Sequence, residues 1–226
     1  MTQAGGKLHN IFIEEFVDTF PKIDFFVMYG QTEATARLSY LPPYLIKEKL
    51  GSIGKGIPGV KLKIVDNSNK IVGENQEGEL LAKGENIMLG YYKNAEATRK
   101  AIQDGWLKTG DLAKVDKDGF IYLLGRKKEI LKVGGKRVSP KEIEEVILQI
   151  SQVIDCTVTG IYDNILGEAI KATITIKQDK DEEKLKQIIL KKCSKNLSSF
   201  KIPQFIEFNY KMELKSTGKK RINKKS

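Results

Sequence analysis

Between Asn10 and Phe20 the apolar residues Ile11, Phe12, Phe16 and Val17 fall at helical spacing with polar residues between them, and Pro21 closes the run. The pattern predicts an amphipathic helix. Asp24 to Tyr29 is a short apolar and aromatic run ending at Gly30, which predicts a buried strand that delivers the next residues to a sheet edge. Such edges are where ligands tend to sit. From Gly51 to Gly125 the pattern changes to short alternating runs: Val60, Leu62 and Ile64 around lysines, then Glu79 to Ala82, then Ile121 to Leu124. Turn residues separate them at Gly73, Asp104 with Gly105, and Asp118 with Gly119, so a small antiparallel sheet or barrel is expected.

A second unit begins near Lys128. Ser139, Pro140 and Glu142 have the Ser-x-x-Glu spacing of a capping box with proline at the first helical position, and Ile143, Val146, Ile147 and Ile150 follow at helical spacing. Residues 153 to 162 and 169 to 177 are rich in β-branched side chains and bracket Asp163, Asn164 and Gly167, which predicts a hairpin. Helical spacing returns from Asp181 to Leu197 through Leu185, Ile188, Ile189 and Cys193. This unit is therefore α+β and of a size to fold independently.

Composition narrows the classes of function. The 226 residues exceed one typical domain of about 100 to 200, and 40% are hydrophobic while 30% are charged. No apolar run approaches the roughly 20 residues of a membrane-spanning helix, and the amino terminus has no export pattern, so a cytoplasmic protein is expected. Cys156 and Cys193 lack metal-ligand spacing, and with His9 the single histidine they give no zinc site or Cys/His dyad; both thiols are expected to fill cores. The net charge of +10 gathers partly in a tail, where Lys211, Lys215, Lys219, Lys220, Arg221, Lys224 and Lys225 face the single acid Glu213. No aromatic-interleaved basic strand accompanies it, so a nucleic-acid partner is not expected.

Three apparent motifs dissolve on inspection. Gly54, Gly56 and Gly59 match GxGxxG, yet a strand pattern follows where a dinucleotide fold needs a helix. Gly51 to Gly56 has Walker A spacing with Ile57 in place of the required lysine. Asp116, Asp118 and Gly119 share features with a calcium loop, but Lys114 takes the first ligand position and a hairpin turn is expected instead.

Four other motifs stand in a fixed order. Tyr29 to Glu33 is YGQTE, Thr109 to Asp111 is TGD after Trp106, Gly125 to Ile143 is GRKKEILKVGGKRVSPKEI, and Ser216 to Lys219 is STGK. With GELLAKGENIMLGYY at Gly78 to Tyr92, this series resembles the adenylate-forming superfamily of acyl-CoA synthetases, amino-acid adenylation domains and luciferases over essentially the whole chain. The resemblance implies a fold of α/β and α+β parts: residues 1–50 as the end of a large α/β domain, 51–127 as a small antiparallel β-barrel-like subdomain, and 128–226 as a mobile α+β lid.

The resemblance also implies roles. A carboxylic acid attacks the α-phosphate of ATP to give an acyl adenylate, which is then passed to CoA, so charge on phosphoryl oxygens must be neutralised. Tyr29 would stack on adenine, Gly30 and Gln31 would line the nucleotide, Thr32 would contact phosphate, and Glu33 would hold magnesium, which favours hard oxygen ligands, so that Thr32 and Glu33 count among the catalytic residues. Asp111 and Arg126 match positions that hydrogen-bond the ribose. Gly6 and Lys7 align with a segment passing under adenine, although Leu8 stands where proline is common. Lys128 takes the hinge position, where backbone rotation is absorbed. Lys132, Gly134 and Gly135 would form the CoA-side loop, whose bare backbone lets a thin pantetheine arm approach. Lys219 matches the catalytic lysine that reaches the reacting phosphate, with Glu213 and Leu214 replacing the proline and basic residue usual before it.

Gln31, where amino-acid adenylation domains usually carry proline, favours a CoA ligase for a fatty or other organic acid. The alternatives are transfer to a carrier protein and a noncatalytic basic binding module. The Gly-, Ser- and Thr-rich phosphate loop and most of the acid pocket of such enzymes belong to an amino-terminal half with no counterpart here, so the chain alone is expected to be inactive.

Overall fold

The computed structural model describes residues 1–6, 8–176 and 181–210. The chain divides into two compact units, Met1–Lys128 and a second that begins at Glu129.

In the first unit, β1 (Thr2–Gln3) pairs in parallel with β2 (Phe26–Tyr29) across the helix α1 (Asn10–Thr19), and β3 (Ser39–Leu41) and β4 (Lys55–Gly56) extend that sheet antiparallel. The helix lies where its spacing predicts, with Ile13 buried beside Phe25, Val27, Leu41 and Ile46. A five-stranded antiparallel sheet follows, built from β5 (Lys61–Val65), β6 (Gly78–Lys83), β7 (Ile102–Gln103), β8 (Trp106–Val115) and β9 (Ile121–Arg126), with the short helix α2 (Ala95–Ala101) before β7. Its strands run β5-β6-β8-β7, and β9 pairs on β8. Alternation puts Ile64, Leu80, Ala82, Leu107 and Ala113 inward.

Residues on both sides of position 50 share this core, since Tyr29, Ala34 and Leu38 pack with Ile53 and Ile121. Lys49 adds a polar tie. Its ammonium lies 3.0 Å from Asp116 and 2.5 Å from Asp118, in the β8–β9 turn. Asp116 Oδ1 also accepts the amides of Asp118 and Phe120, so the acidic pair shapes a hairpin turn and not a cation loop. The GxGxxG stretch runs into β4 and β5 with no helix, and Gly54 is there because a Cβ would meet the Tyr40 carbonyl at 1.7 Å.

The second unit contains β10 (Leu131–Val133), β11 (Lys136–Val138), α3 (Pro140–Leu148), β12 (Val153–Asp163), β13 (Gly167–Ile176), α4 (Glu182–Asn196) and β14 (Phe205–Asn209). The hairpin of β12 and β13 is its spine; β14 joins β13 in parallel, and β10 joins it antiparallel at the one register pair Val133↔Gly167. Helix α3 buries Ile143, Val146, Ile147 and Leu148, and α4 buries Leu185, Ile189 and Cys193. Both thiols are fully buried, and burial pushes Cys193 up to about 11.

The capping box does not form as expected. Ser139 holds the N-cap position with Pro140 after it, but its side chain makes no capping bond, and Glu142 is taken by Lys201 at 2.7 Å. A charged partner from outside the helix outcompetes the local reciprocal bond. Among the described residues no helix is long and apolar enough to cross a membrane.

Candidate functional site

Strand β2 ends at Tyr29, and Gly30 then lets the chain fold back on itself: a Cβ there would lie 2.2 Å from the Ala36 carbonyl oxygen. Gln31 caps a single 3₁₀ turn, Thr32–Ala34, its carbonyl accepting the amides of Ala34 and Ala36. Thr35 and Ala36 then adopt left-handed φ angles of 49° and 68°, a conformation that side chains disfavour and that surrounding bonds must hold. Asn86 supplies them: its Nδ2 donates to the carbonyls of Ala34 and Arg37, and its own carbonyl accepts from Thr35 Oγ1. The Met88 amide donates to the Glu33 carbonyl at 2.8 Å, and the Tyr91 hydroxyl donates to Glu33 Oε1 at 2.7 Å. The segment around 86–91 thus clamps the YGQTE loop and aims its carboxylate.

A second cluster forms where β2, β8 and β9 meet. Asp111 sits opposite Arg126 in the β8–β9 ladder. Arg126 Nε lies 2.9 Å from Asp111 Oδ1, and its NH1 donates to the Thr109 carbonyl at 2.9 Å. The Tyr29 hydroxyl donates to Asp111 Oδ2 at 2.5 Å across 82 residues of sequence. Asp111 is buried whereas the Arg126 side chain is half exposed, so the pair links the unit's interior to its surface. Burial, and after it the Asp111 carboxylate, pushes the Tyr29 phenol far above its ordinary range, so it stays a donor at any physiological pH. Thr109 supports the cluster from below, donating to the Leu80 carbonyl and accepting the Asp111 amide.

The motif residues of the first unit are therefore brought into two linked clusters through Tyr29, Gly30, Gln31, Thr32 and Glu33. Gly6 lies in the exposed amino-terminal segment after β1, and Lys7 falls outside the described residues. Asn86 and Tyr91 were not singled out by the sequence, although both lie in the GELLAKGENIMLGYY motif. Glu33 suits magnesium by the chemistry of its donor set: one partly exposed carboxylate, one oxygen of which is fixed by a phenol, matches a cation that takes one or two carboxylates and the substrate's phosphates.

The second unit presents a different device. Gly134 and Gly135, at φ 54° and 76°, form the two-residue turn between β10 and β11, with Val133 paired to Lys136. Two consecutive positive φ angles are what a hairpin turn matched to strand twist requires. Lys132 precedes it on β10 with its side chain exposed, and a Cβ on Gly135 would meet no atom of the described residues within 4 Å. Lys128 is exposed at the end of the first unit. Lys219 lies outside the described residues.

Residues 1–92 match the AMP-binding enzyme family, and residues 142–219 match the AMP-binding enzyme C-terminal domain. A long-chain-fatty-acid-CoA ligase of Salmonella typhimurium is 36% identical over 191 residues, which cover 84% of this chain and 33% of that protein. A 2-succinylbenzoate-CoA ligase of Bacillus pumilus is 38% identical over 183 residues, covering 81% and 37% respectively. Among solved structures, an anthranilate CoA ligase in complex with anthranoyl-AMP superposes with a TM-score of 0.88 at 32% identity, over 97% of this chain and 42% of that one. The chain spans about a third of the length of the curated relatives it matches.

Proposed function

We propose, from the premise that this chain belongs to the AMP-binding enzymes of the adenylate-forming ligase superfamily, that it is the carboxy-terminal part of an ATP-dependent acyl-CoA synthetase. The whole enzyme activates a carboxylic acid as acyl-AMP with release of pyrophosphate, then transfers the acyl group to the CoA thiol, in the cytoplasm. The observation that carries this reading is the convergence of Tyr29 and Arg126, from two other strands, on the Asp111 carboxylate.

That convergence suits a ribose. Two donors from separate strands hold Asp111 in one orientation, so it meets sugar hydroxyls without reorganising. Arg126 stands at the exposed side, placed to add a donor to the same sugar. Tyr29 would meet adenine by stacking, with the residue 9% exposed and its hydroxyl donating to Asp111. Gly30, Gln31 and Thr32 border the phosphates, with Gly6 and Lys7 on the side of the base. Glu33, aimed by Tyr91, would hold magnesium, which supplies positive charge against the phosphoryl oxygens when bound. Lys219 completes this neutralisation as a flexible point charge.

For the second half-reaction the Gly134–Gly135 turn gives the pantetheine arm a passage free of side chains, with Lys132 beside it. Residues 1–50 and 51–127 serve nucleotide and acid, and 128–226 act as a lid turning on Lys128. CoA is thus a co-substrate, and relatives that bear CoA ligase names support this over a carrier protein.

The test is calorimetric titration of AMP into this chain. Binding on the order of 1 mM, abolished in Asp111→Ala, is the expected result. No heat with AMP at millimolar concentration, together with tight binding of duplex DNA, overturns the reading in favour of a basic binding module.

A further inference from the structure

The CoA-side turn is held by something its own strands do not supply. Strand β10 meets β13 at a single register pair, Val133↔Gly167, so the amide of Lys132 is taken by a side chain: Glu168 Oε2 accepts it at 2.5 Å. A carboxylate acceptor makes this bond shorter and about twice as strong as a neutral one. Gly160, on the neighbouring strand β12, leaves room for that carboxylate. A Cβ there would lie 2.6 Å from Glu168 Oε1 and 2.9 Å from Leu131 Cδ2, so any side chain at 160 displaces the carboxylate, the Leu131 side chain, or both.

Other bonds fix the same two hairpins to each other. The Gly134 amide donates to the Leu166 carbonyl at 2.8 Å, and the loop carrying Leu166 is itself shaped by Asp163, whose Oδ1 accepts the amides of Ile165 and Leu166. Those two amides hold the Asp163 carboxyl below the usual carboxylate range. The Gly134–Gly135 turn is thus referred, through Glu168 and Leu166, to the β12–β13 spine of its unit.

We propose that Glu168 is a positioning residue for thioester formation, fixing the Lys132–Gly135 turn where the pantetheine arm passes, and that Gly160 is glycine in order to admit it. This rests on the reading of that turn as the CoA side. Glu168 touches no reacting atom; it acts by denying the turn alternative positions.

The test has two parts. In this chain, amide hydrogen exchange is followed at Lys132 and Gly134 in Glu168→Ala, Glu168→Gln and Gly160→Ala. In the ligase that carries the chain, pyrophosphate exchange and thioester formation from supplied acyl adenylate are assayed separately, with Gly135→Leu as a further variant.

Glu168→Ala is expected to speed exchange at Lys132 and lower thioester formation about 10-fold to 100-fold, the scale of a lost bond to a charged group, while pyrophosphate exchange stays within about twofold. Gly160→Ala should follow it, and Glu168→Gln, which keeps an acceptor oxygen, should restore most of the loss. Unchanged Lys132 exchange in Glu168→Ala, or an equal fall in both half-reactions, overturns the proposal. If Gly135→Leu impairs thioester formation and Glu168→Ala does not, Glu168 alone is misassigned. If Gly135→Leu leaves thioester formation intact, the reading of the turn fails and the proposal falls with it.

Discussion

The two units present their candidate groups in opposite ways. In the unit ending at Lys128 the candidate groups are side chains already bound to one another, Tyr29 and Arg126 on Asp111, Tyr91 on Glu33. In the unit beginning at Glu129 the candidate feature is backbone, a two-glycine turn with open space around Gly135. A nucleotide offers sugar hydroxyls and charge, which reward fixed donors and acceptors. A pantetheine arm offers bulk along a thin chain, which rewards an absence of side chains. Preorganised polarity and preorganised emptiness are therefore two answers to different ligand chemistry, and they fail in different ways when mutated.

The largest expected effect separates the half-reactions. Lys219→Ala in the whole ligase should slow pyrophosphate exchange by on the order of 10² to 10³, the usual loss for one contact to developing charge, and spare transfer from a supplied acyl adenylate. Equal loss of both would mean that Lys219 is not confined to the first step.

Next comes a contrast between two glycines, read by urea unfolding of this chain. Gly30→Ala forces a Cβ against backbone at 2.2 Å and should cost about 1 to 3 kcal/mol, as overpacking does. Gly135→Ala meets no neighbour among the described residues and bears only the left-handed penalty of about 1 kcal/mol. Matching losses would break the distinction between a crowded site and an open one.

The smallest effect concerns acid. Burial pushes the Asp116 carboxyl up, but the Phe120 amide and Lys49 outweigh it and hold it below the usual carboxylate range. A depressed carboxyl contributes stability that is present above its unfolded value of about 3.9 and lost as pH falls through the folded one. Unfolding midpoints followed from pH 6 to pH 2.5 should therefore show an acid-labile first unit, and Lys49→Met should flatten that limb while leaving the second unit unchanged.

Most elements were legible because apolar period alone specifies them: α1, α3, α4 and the β12–β13 hairpin lie where the spacing places them. The longest strand of the first unit, β8, was not. Its inward positions run Leu107, Thr109, Asp111, Ala113, and the two polar residues erase the alternation. The candidate site hid its own strand, because its polar groups Thr109 and Asp111 occupy places where a core would put valine. Helix α2 was missed for another reason, since none of its residues is buried and only the Asn94 cap marks it. The motif residues themselves were visible, yet their partners were not: Tyr91 reaches Glu33 across 58 residues and Glu168 reaches Lys132 across 36, distances over which no local pattern carries information.

The bond from Tyr29 to Asp111 has a use beyond holding a carboxylate still. Of the eight tyrosines, Tyr29, Tyr91 and Tyr122 are all raised, Tyr29 furthest through burial and the adjoining negative charge, so in an alkaline titration it stays dark while exposed phenols turn into phenolates. Tyr29 is thus a silent phenol while the fold holds, and its appearance in the ultraviolet difference spectrum reports that the buried cluster around Asp111 has opened.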